Sequence, residues 1–109
     1  LDMFEGGVNF IKTPVKANKL DLEFVFERAY ELGIKSILIE SGGILNGSAL
    51  KYADKIYHFI APKITGDNSS LSCFNFQKIN DINNSLNFEI ESIEHFEPDI
   101  LLTYYPINQ

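Results

Sequence analysis

The stretch Ile37-Leu-Ile-Glu-Ser-Gly-Gly-Ile-Leu-Asn-Gly-Ser48 decides the predicted fold, because an aliphatic run ends in a carboxylate and passes directly into a glycine-rich turn. This order indicates a strand, a turn and a helix. Helix N-termini expose unpaired backbone N–H groups and a positive dipole end, so glycines at such a turn favour the binding of a phosphate group. Glycine pairs also join strands to helices where no ligand binds. A nucleotide-dependent enzyme is the first hypothesis, and a purely structural turn is the alternative.

The composition fits one globular domain and argues against two classes of partner. The chain has 109 residues, of which 45% are hydrophobic, and it carries a net charge of -6 at pH 7. The basic residues are scattered, which argues against binding to nucleic acid or to an acidic membrane surface. No apolar run approaches the roughly 20 residues that span a bilayer, and the first residues lack the pattern of a signal peptide. We expect a cytoplasmic protein, and the opening at Leu1 suggests a piece of a longer polypeptide.

The hydrophobic pattern predicts alternating strands and helices in the first part of the chain. The predicted elements are a strand at 8–14, a helix from the N-cap Asp21 to the stop at Gly33, a strand at 36–40, a helix at 42–53 and a strand at 56–61. The uninterrupted aliphatic centre of 36–40 is typical of a strand covered on both faces, so we expect it to be central. The series predicts parallel strands joined by right-handed crossovers.

The last part of the chain predicts an antiparallel hairpin. A strand at 88–93 is followed by a turn at 97–99, and a second strand at 100–105 ends at Pro106. The sequence therefore predicts the α/β class, with a mixed sheet flanked by helices.

The single cysteine and the two histidines predict no chemistry by themselves. Cys73 has no cysteine to pair with inside the chain, which fits a reducing compartment, and we expect it to be unreactive. Histidine is the residue type that ordinarily changes charge near neutral pH, but the sequence shows no partner for His58 or His95. No spacing of His, Cys, Asp and Glu predicts a metal site.

Four segments carry a family resemblance because they occur in order at a familiar spacing. They are Ile39-Glu-Ser-Gly-Gly-Ile-Leu-Asn-Gly-Ser-Ala-Leu50, Ala53-Asp-Lys55, Phe59-Ile-Ala-Pro-Lys-Ile-Thr-Gly66 and Phe96-Glu-Pro-Asp-Ile-Leu-Leu-Thr-Tyr104. Together they resemble the C-terminal reductase domain of RibD, a family of riboflavin biosynthesis. The resemblance implies a dihydrofolate-reductase-like fold, of which residues 1–109 form the C-terminal portion. It also implies NADPH-dependent reduction of the ribose of 5-amino-6-(5-phosphoribosylamino)uracil to the ribitylamino product.

The same resemblance implies roles for individual residues. Glu40 corresponds to a carboxylate associated with contact to the phosphoribosylaminopyrimidine substrate. The implied NADPH contacts are Gly42, Gly43, Ile44, Leu45, Asn46, Gly47 and Ser48. The resemblance also implies a homodimer. Many family members carry an upstream zinc deaminase domain, whose cysteine and histidine signature is missing from these residues. We therefore expect no metal in this chain.

Several alternatives remain open at the level of sequence. The central motifs do not separate this reductase from a related pyrimidine reductase acting on the intermediate before deamination, or from a pterin reductase. A nucleotide-binding sensor domain that no longer transfers hydride is the alternative outside enzymes. Ser41 supports the sensor, because the family usually has a glycine at this position, and serine is compatible only with a negative φ.

Overall fold

The computed structural model describes residues 2–3, 6–75, 78 and 80–107. The chain divides into two compact units, the first ending at Ile39 and the second beginning at Glu40. No helix in the described ranges is both long and apolar enough to cross a membrane.

The first unit combines two small antiparallel ribbons with one helix. Its elements are β1 (Asp2–Met3), β2 (Asn9–Phe10), β3 (Val15–Lys16), β4 (Lys19–Leu20) and α1 (Leu22–Glu31). β1 pairs with β2, and β3 pairs with β4. Ala17 and Asn18 join β3 to β4 with φ values of 52° and 60°, the left-handed backbone that a two-residue hairpin turn requires. The strand predicted at 8–14 forms only at Asn9–Phe10.

Helix α1 begins and ends where the sequence predicts. The Asp21 carboxylate accepts a hydrogen bond from the backbone N–H of Phe24 at 3.3 Å, which satisfies one of the free donors of the first turn. Gly33, with φ of 82°, follows the helix in the left-handed conformation that ends many helices. Ala29 is the buried residue of the helix, and Leu32 at its C-cap is exposed.

The predicted central strand at 36–40 is wrong. Residues 34–42 have no regular secondary structure, and Leu38 is 71% exposed. An aliphatic run indicates that its side chains favour burial. A strand also needs a neighbouring strand whose backbone pairs with its N–H and C=O groups. None of the strand pairings in the described ranges includes these residues.

The second unit is built around a three-stranded sheet. Its regular elements are α2 (Gly43–Ala49), β5 (Ile56–Ile60), β6 (Phe88–Phe96) and β7 (Asp99–Pro106), and two short 3₁₀ turns lie at Leu50–Tyr52 and Ile82–Asn84. The order is β5-β7-β6, and both pairings are antiparallel. The α/β class is confirmed, but the predicted parallel crossovers are not found in the described strands, all of which pair antiparallel.

β7 forms the centre of this sheet and carries much of its core. Leu101 and Thr103 are 7% and 3% exposed, because strands lie on both sides of them. The β6–β7 hairpin turns at Glu97 and Pro98, close to the predicted position. A bulge between Ile90 and Ser92 shifts the register of β6.

A long irregular connection leaves the sheet after β5. Residues 61–71 are exposed throughout and contain no helix or strand. The chain then returns to α2 at residues 72–75, which we call the covering segment. Its contacts with α2 define the candidate site.

Candidate functional site

The glycine-rich turn leads into α2 without a side-chain cap. Gly42 occupies the N-cap position with φ of -77° and ψ of 172°, and no side chain bonds to the first turn from this position. A Cβ built on Gly42 meets nothing within 4 Å. The backbone of Gly42 is therefore open to an approaching group, and the N–H groups of the first helical turn lack helical acceptors, as at any helix N-terminus.

Ser41 and Asn46 hold the turn against the helix. The Ser41 hydroxyl donates to Asn46 Oδ1 at 2.6 Å, and Asn46 Nδ2 donates to the Ser41 carbonyl at 3.1 Å. Ser41 is not among the non-glycine residues with positive φ. Serine therefore fits the backbone at the position where the family usually has a glycine. This removes the main argument for a sensor domain that no longer transfers hydride.

The covering segment explains two of the glycines. A Cβ on Gly43 would collide with the carbonyl oxygen of Ser72, and a Cβ on Gly47 would collide with the carbonyl oxygen of Asn75. The Asn75 N–H donates to the Gly43 carbonyl at 2.8 Å, and Asn46 Nδ2 donates to the Cys73 carbonyl at 3.2 Å. One face of α2 is thus free of side chains so that backbone can lie directly on it.

The residues predicted to bind cofactor therefore fall into three groups. The exposed group comprises Gly42, Ile44 and Leu45, whereas Gly43 and Gly47 are buried. Asn46 and Ser48 are half-buried, and the Ser48 hydroxyl donates to the Ile44 carbonyl at 3.1 Å within the helix. The structure brings all seven together on α2 and its cap, but only the exposed group faces open space.

The predicted substrate residue lies at the start of the second unit. Glu40 is exposed and stands two positions before Gly42. Since residues 36–40 form no strand, Glu40 does not occupy the strand end at which the sequence analysis placed it. It remains next to the open turn along the chain.

A second cluster in this unit was not predicted. His58 Nδ1 lies 3.0 Å from the Tyr104 hydroxyl, and His58 Nε2 lies 3.7 Å from Cys73 Sγ. The Phe74 ring packs edge-on against His58 with centroids 5.9 Å apart. Burial, followed by the proximity of Cys73, raises the pKa of Tyr104, so its phenol stays protonated at neutral pH. The sequence shows no partner for His58, and the structure supplies two, Tyr104 and Cys73.

No local signal in the sequence reveals this cluster. His58 and Tyr104 are 46 positions apart and meet because β5 and β7 pair in the register that sets Ile56 opposite Tyr104. Cys73 arrives through the covering segment. Among the described residues, no group of three or more His, Cys, Asp and Glu side chains is placed to hold a metal ion.

Comparison with known protein families matches residues 3–102 to the RibD C-terminal domain. This chain belongs to the RibD C-terminal domain family. Solved structures of Acinetobacter baumannii RibD, in two forms, match this family member with a TM-score of 0.74 at 22% identity, covering 94% of this chain and 27% of the RibD chain. This likeness confirms the dihydrofolate-reductase-like fold.

Two curated relatives of this RibD C-terminal domain chain are longer than it is. The riboflavin biosynthesis protein RibD of Actinobacillus pleuropneumoniae is 29% identical over 104 residues, which are 94% of this chain and 28% of that protein. The 5-amino-6-(5-phosphoribosylamino)uracil reductase of Buchnera aphidicola subsp. Acyrthosiphon pisum (strain APS) is 35% identical over 75 residues, 67% of this chain and 36% of that protein. The chain therefore spans about a quarter to a third of their length.

Proposed function

We propose that this chain is the C-terminal portion of a reductase domain that reduces the ribose of 5-amino-6-(5-phosphoribosylamino)uracil with NADPH. The Buchnera relative is named as a reductase of this substrate, which supports the reaction. The observation that carries the proposal is the open, uncapped turn at Gly42, next to the exposed carboxylate of Glu40. In this proposal, a backbone that attracts anions and a side chain that accepts hydrogen bonds lie two positions apart in the chain.

The residues present fit the phosphate-bearing part of the cofactor. Backbone N–H groups at the first turn of α2 attract an anion through the partial positive charge of the helix end. Gly42 leaves that approach free of a side chain. When bound, the cofactor supplies the hydride, and the protein orients the sugar carbon that receives it. We assign direct contacts to the turn at Gly42, Ile44 and Leu45.

The other predicted cofactor residues act by shaping the turn. Gly43 and Gly47 accept the backbone of the covering segment, and Asn46 ties that segment to Ser41. Ser48 uses its hydroxyl within the helix. These residues therefore hold the open turn in place, and their substitution should affect folding before cofactor affinity.

Glu40 serves as a substrate contact in this proposal. An exposed carboxylate accepts hydrogen bonds from hydroxyl and amino groups, both of which the ribosylaminopyrimidine offers. The charge is not needed for folding at an exposed position, so its neutral amide analogue separates binding chemistry from stability.

The proposal extends to the whole protein. We propose that the complete protein is cytoplasmic and assembles as a homodimer. Its polypeptide would also contain the remaining part of the reductase domain and, as in some family members, a zinc deaminase domain. The greater length of the curated relatives supports a parent with further segments.

The first experiment measures NADPH oxidation by the complete protein with 5-amino-6-(5-phosphoribosylamino)uracil. We expect substrate-dependent oxidation. A protein that binds NADPH but oxidises it only with the substrate's not yet deaminated precursor, or with a pterin, would assign a related reductase, and binding without oxidation of any of these would assign a sensor.

Two variants locate the site. Gly42→Val should weaken NADPH binding by crowding the turn while leaving the fold intact, because the added side chain meets open space. Glu40→Gln should lower turnover more than NADPH affinity, because it keeps the size and removes the charge. Unchanged NADPH affinity in folded Gly42→Val refutes the turn assignment, and unchanged turnover in Glu40→Gln refutes the substrate role.

A further inference from the structure

The thiol of Cys73, the imidazole of His58 and the phenol of Tyr104 form a continuous chain of polar contacts. Cys73 Sγ lies 3.7 Å from His58 Nε2, within hydrogen-bonding distance for sulfur, and His58 Nδ1 lies 3.0 Å from the Tyr104 hydroxyl. Cys73 is exposed. A nucleophile next to a base, with the base held by a third group, is the arrangement that activates thiols in enzymes.

We propose that Cys73 is a reactive thiol, activated by His58, that forms mixed disulfides with small-molecule disulfides. His58 Nε2 takes the thiol proton, and the Cys73 thiolate attacks one sulfur of the disulfide. The new bond joins Cys73 Sγ to that sulfur, and the old sulfur–sulfur bond breaks. The second sulfur leaves as a thiolate and takes up the proton from His58, so one disulfide and one thiol yield one disulfide and one thiol.

Tyr104 is the positioning residue for His58. In the tautomer that carries its proton on Nδ1, His58 donates to the Tyr104 hydroxyl and presents an unprotonated Nε2 to the thiol. Rings of Phe74 and Tyr104 pack edge-on against the imidazole with centroids 5.9 and 6.1 Å away. These contacts fix the orientation of the ring, so Nε2 stays directed at Cys73.

The backbone of Cys73 is also fixed. Its carbonyl accepts from Asn46 Nδ2, and the neighbouring Asn75 N–H donates to the Gly43 carbonyl. The thiol is therefore attached to a segment bound to α2, while His58 is held in β5. The Cys73 and His58 side chains are therefore both attached to backbone that other contacts hold in position.

The expected rate gain is modest and measurable. An ordinary cysteine with a pKa of about 8.5 is about 3% thiolate at pH 7. A neighbouring imidazole that accepts the thiol proton increases the supply of thiolate during attack, whereas the hydrogen bond to that thiolate lowers its nucleophilicity. The net expectation is a three- to tenfold gain, roughly, over the same cysteine in an unfolded chain.

The test uses oxidised glutathione as the probe and mass spectrometry of the peptide that contains Cys73 as the readout. The complete protein is incubated with the probe at pH 7, folded in buffer and unfolded in urea. We expect the folded protein to form the adduct on Cys73 faster than the unfolded protein. A folded rate equal to or below the unfolded rate overturns the proposal, including the case in which other parts of the protein cover the thiol.

Three variants assign the cause of the gain. His58→Gln should return the folded rate to the unfolded value, and His95→Gln, the matched control on β6, should leave it unchanged. Tyr104→Phe should lower the rate a few-fold in the native protein and change nothing further in the His58→Gln background, because the phenol acts only through the imidazole.

The folding of His58→Gln decides which measurement tests the proposal. A folded His58→Gln protein with the native rate overturns it. If circular dichroism shows that His58→Gln does not fold, the folded-to-unfolded ratio of the native protein and the single Tyr104→Phe variant decide the matter, and the proposal falls if Tyr104→Phe reacts at the native rate.

Discussion

The two units of this chain differ in the range of the contacts that stabilise each unit internally. In the first unit, hydrogen bonds join residues close in sequence, such as Asp21 to Phe24 and Asp21 to Pro14. In the second, Asn46 bonds to Cys73 across 27 positions and His58 to Tyr104 across 46. When a local hydrogen bond is removed, only that bond is lost. When a long-range contact is removed, the chain segment that it holds is released, and other contacts depend on that segment. Substitutions in the second unit should therefore cost more than those in the first.

Gly47→Ala should have the largest effect on stability. The added methyl group would collide with the backbone of Asn75, whose carbonyl carbon lies 2.6 Å from the ideal Cβ position, and backbone cannot rotate away as a side chain can. We expect a loss of about 3 kcal/mol in the free energy of unfolding, measured by urea denaturation. Gly42→Ser is the control, because open space surrounds Gly42 and serine is a favoured N-cap. The comparison between the units fails if Gly47→Ala costs no more than a lost helix cap.

Asn46→Ala should have the next largest effect. It removes the donor to the carbonyls of Ser41 and Cys73 and the acceptor for the Ser41 hydroxyl. We expect a loss of about 2 kcal/mol in the free energy of unfolding. Asn46→Asp keeps the acceptor but not the donors, so it should be nearly as damaging. Native stability in the aspartate variant would show that the bond to Cys73 contributes little.

Asp21→Ala tests the first unit. The lost bond to the Phe24 N–H should cost about 1 kcal/mol, seen as reduced helix content or reduced unfolding free energy. Asp21→Asn preserves an acceptor oxygen and should recover most of the loss. An Asp21→Ala cost above that of Asn46→Ala would reverse the proposed order of the two units.

Arg28→Gln should have the smallest effect. Arg28 Nη1 lies 2.6 Å from Glu31 Oε2, but both side chains are exposed to solvent. Such a pair stabilises a helix by about 0.3 kcal/mol, and salt screens it. The difference between the native protein and the variant should vanish at high ionic strength. A difference that persists at high salt would indicate that Arg28 makes a packing contact.

The sequence predicted features that depend on nearby residues. The cap at Asp21, the stop at Gly33 and the hairpin turn near Pro98 all follow from the local preferences of a few side chains. The α/β class and the family were also predicted correctly, because the central motifs lie within a short stretch. The same stretch also predicted correctly that the glycine-rich turn leads into a helix, α2.

The failures involve partners that lie far away in sequence. The run at 36–40 reads as a strand, but a strand is defined by the neighbour it pairs with, and no described strand pairs with it. The sequence also does not reveal that the covering segment lies over Gly43 and Gly47, whose assignment to the cofactor stays a prediction. His58 appeared isolated for the same reason, since the β5–β7 register that brings Tyr104 to it is not encoded locally.

The connection at 61–71 is fixed at both ends, by β5 before it and by the covering segment after it, and is exposed between them. Beyond the family motif that ends at Gly66, its length is therefore nearly free to vary, since each doubling of a flexible loop costs only about 0.6 kcal/mol. Natural relatives should differ in length here more than elsewhere in the second unit. The same loop is the natural position for an inserted peptide tag or fluorescent label, which would report on the protein without disturbing α2 or the sheet.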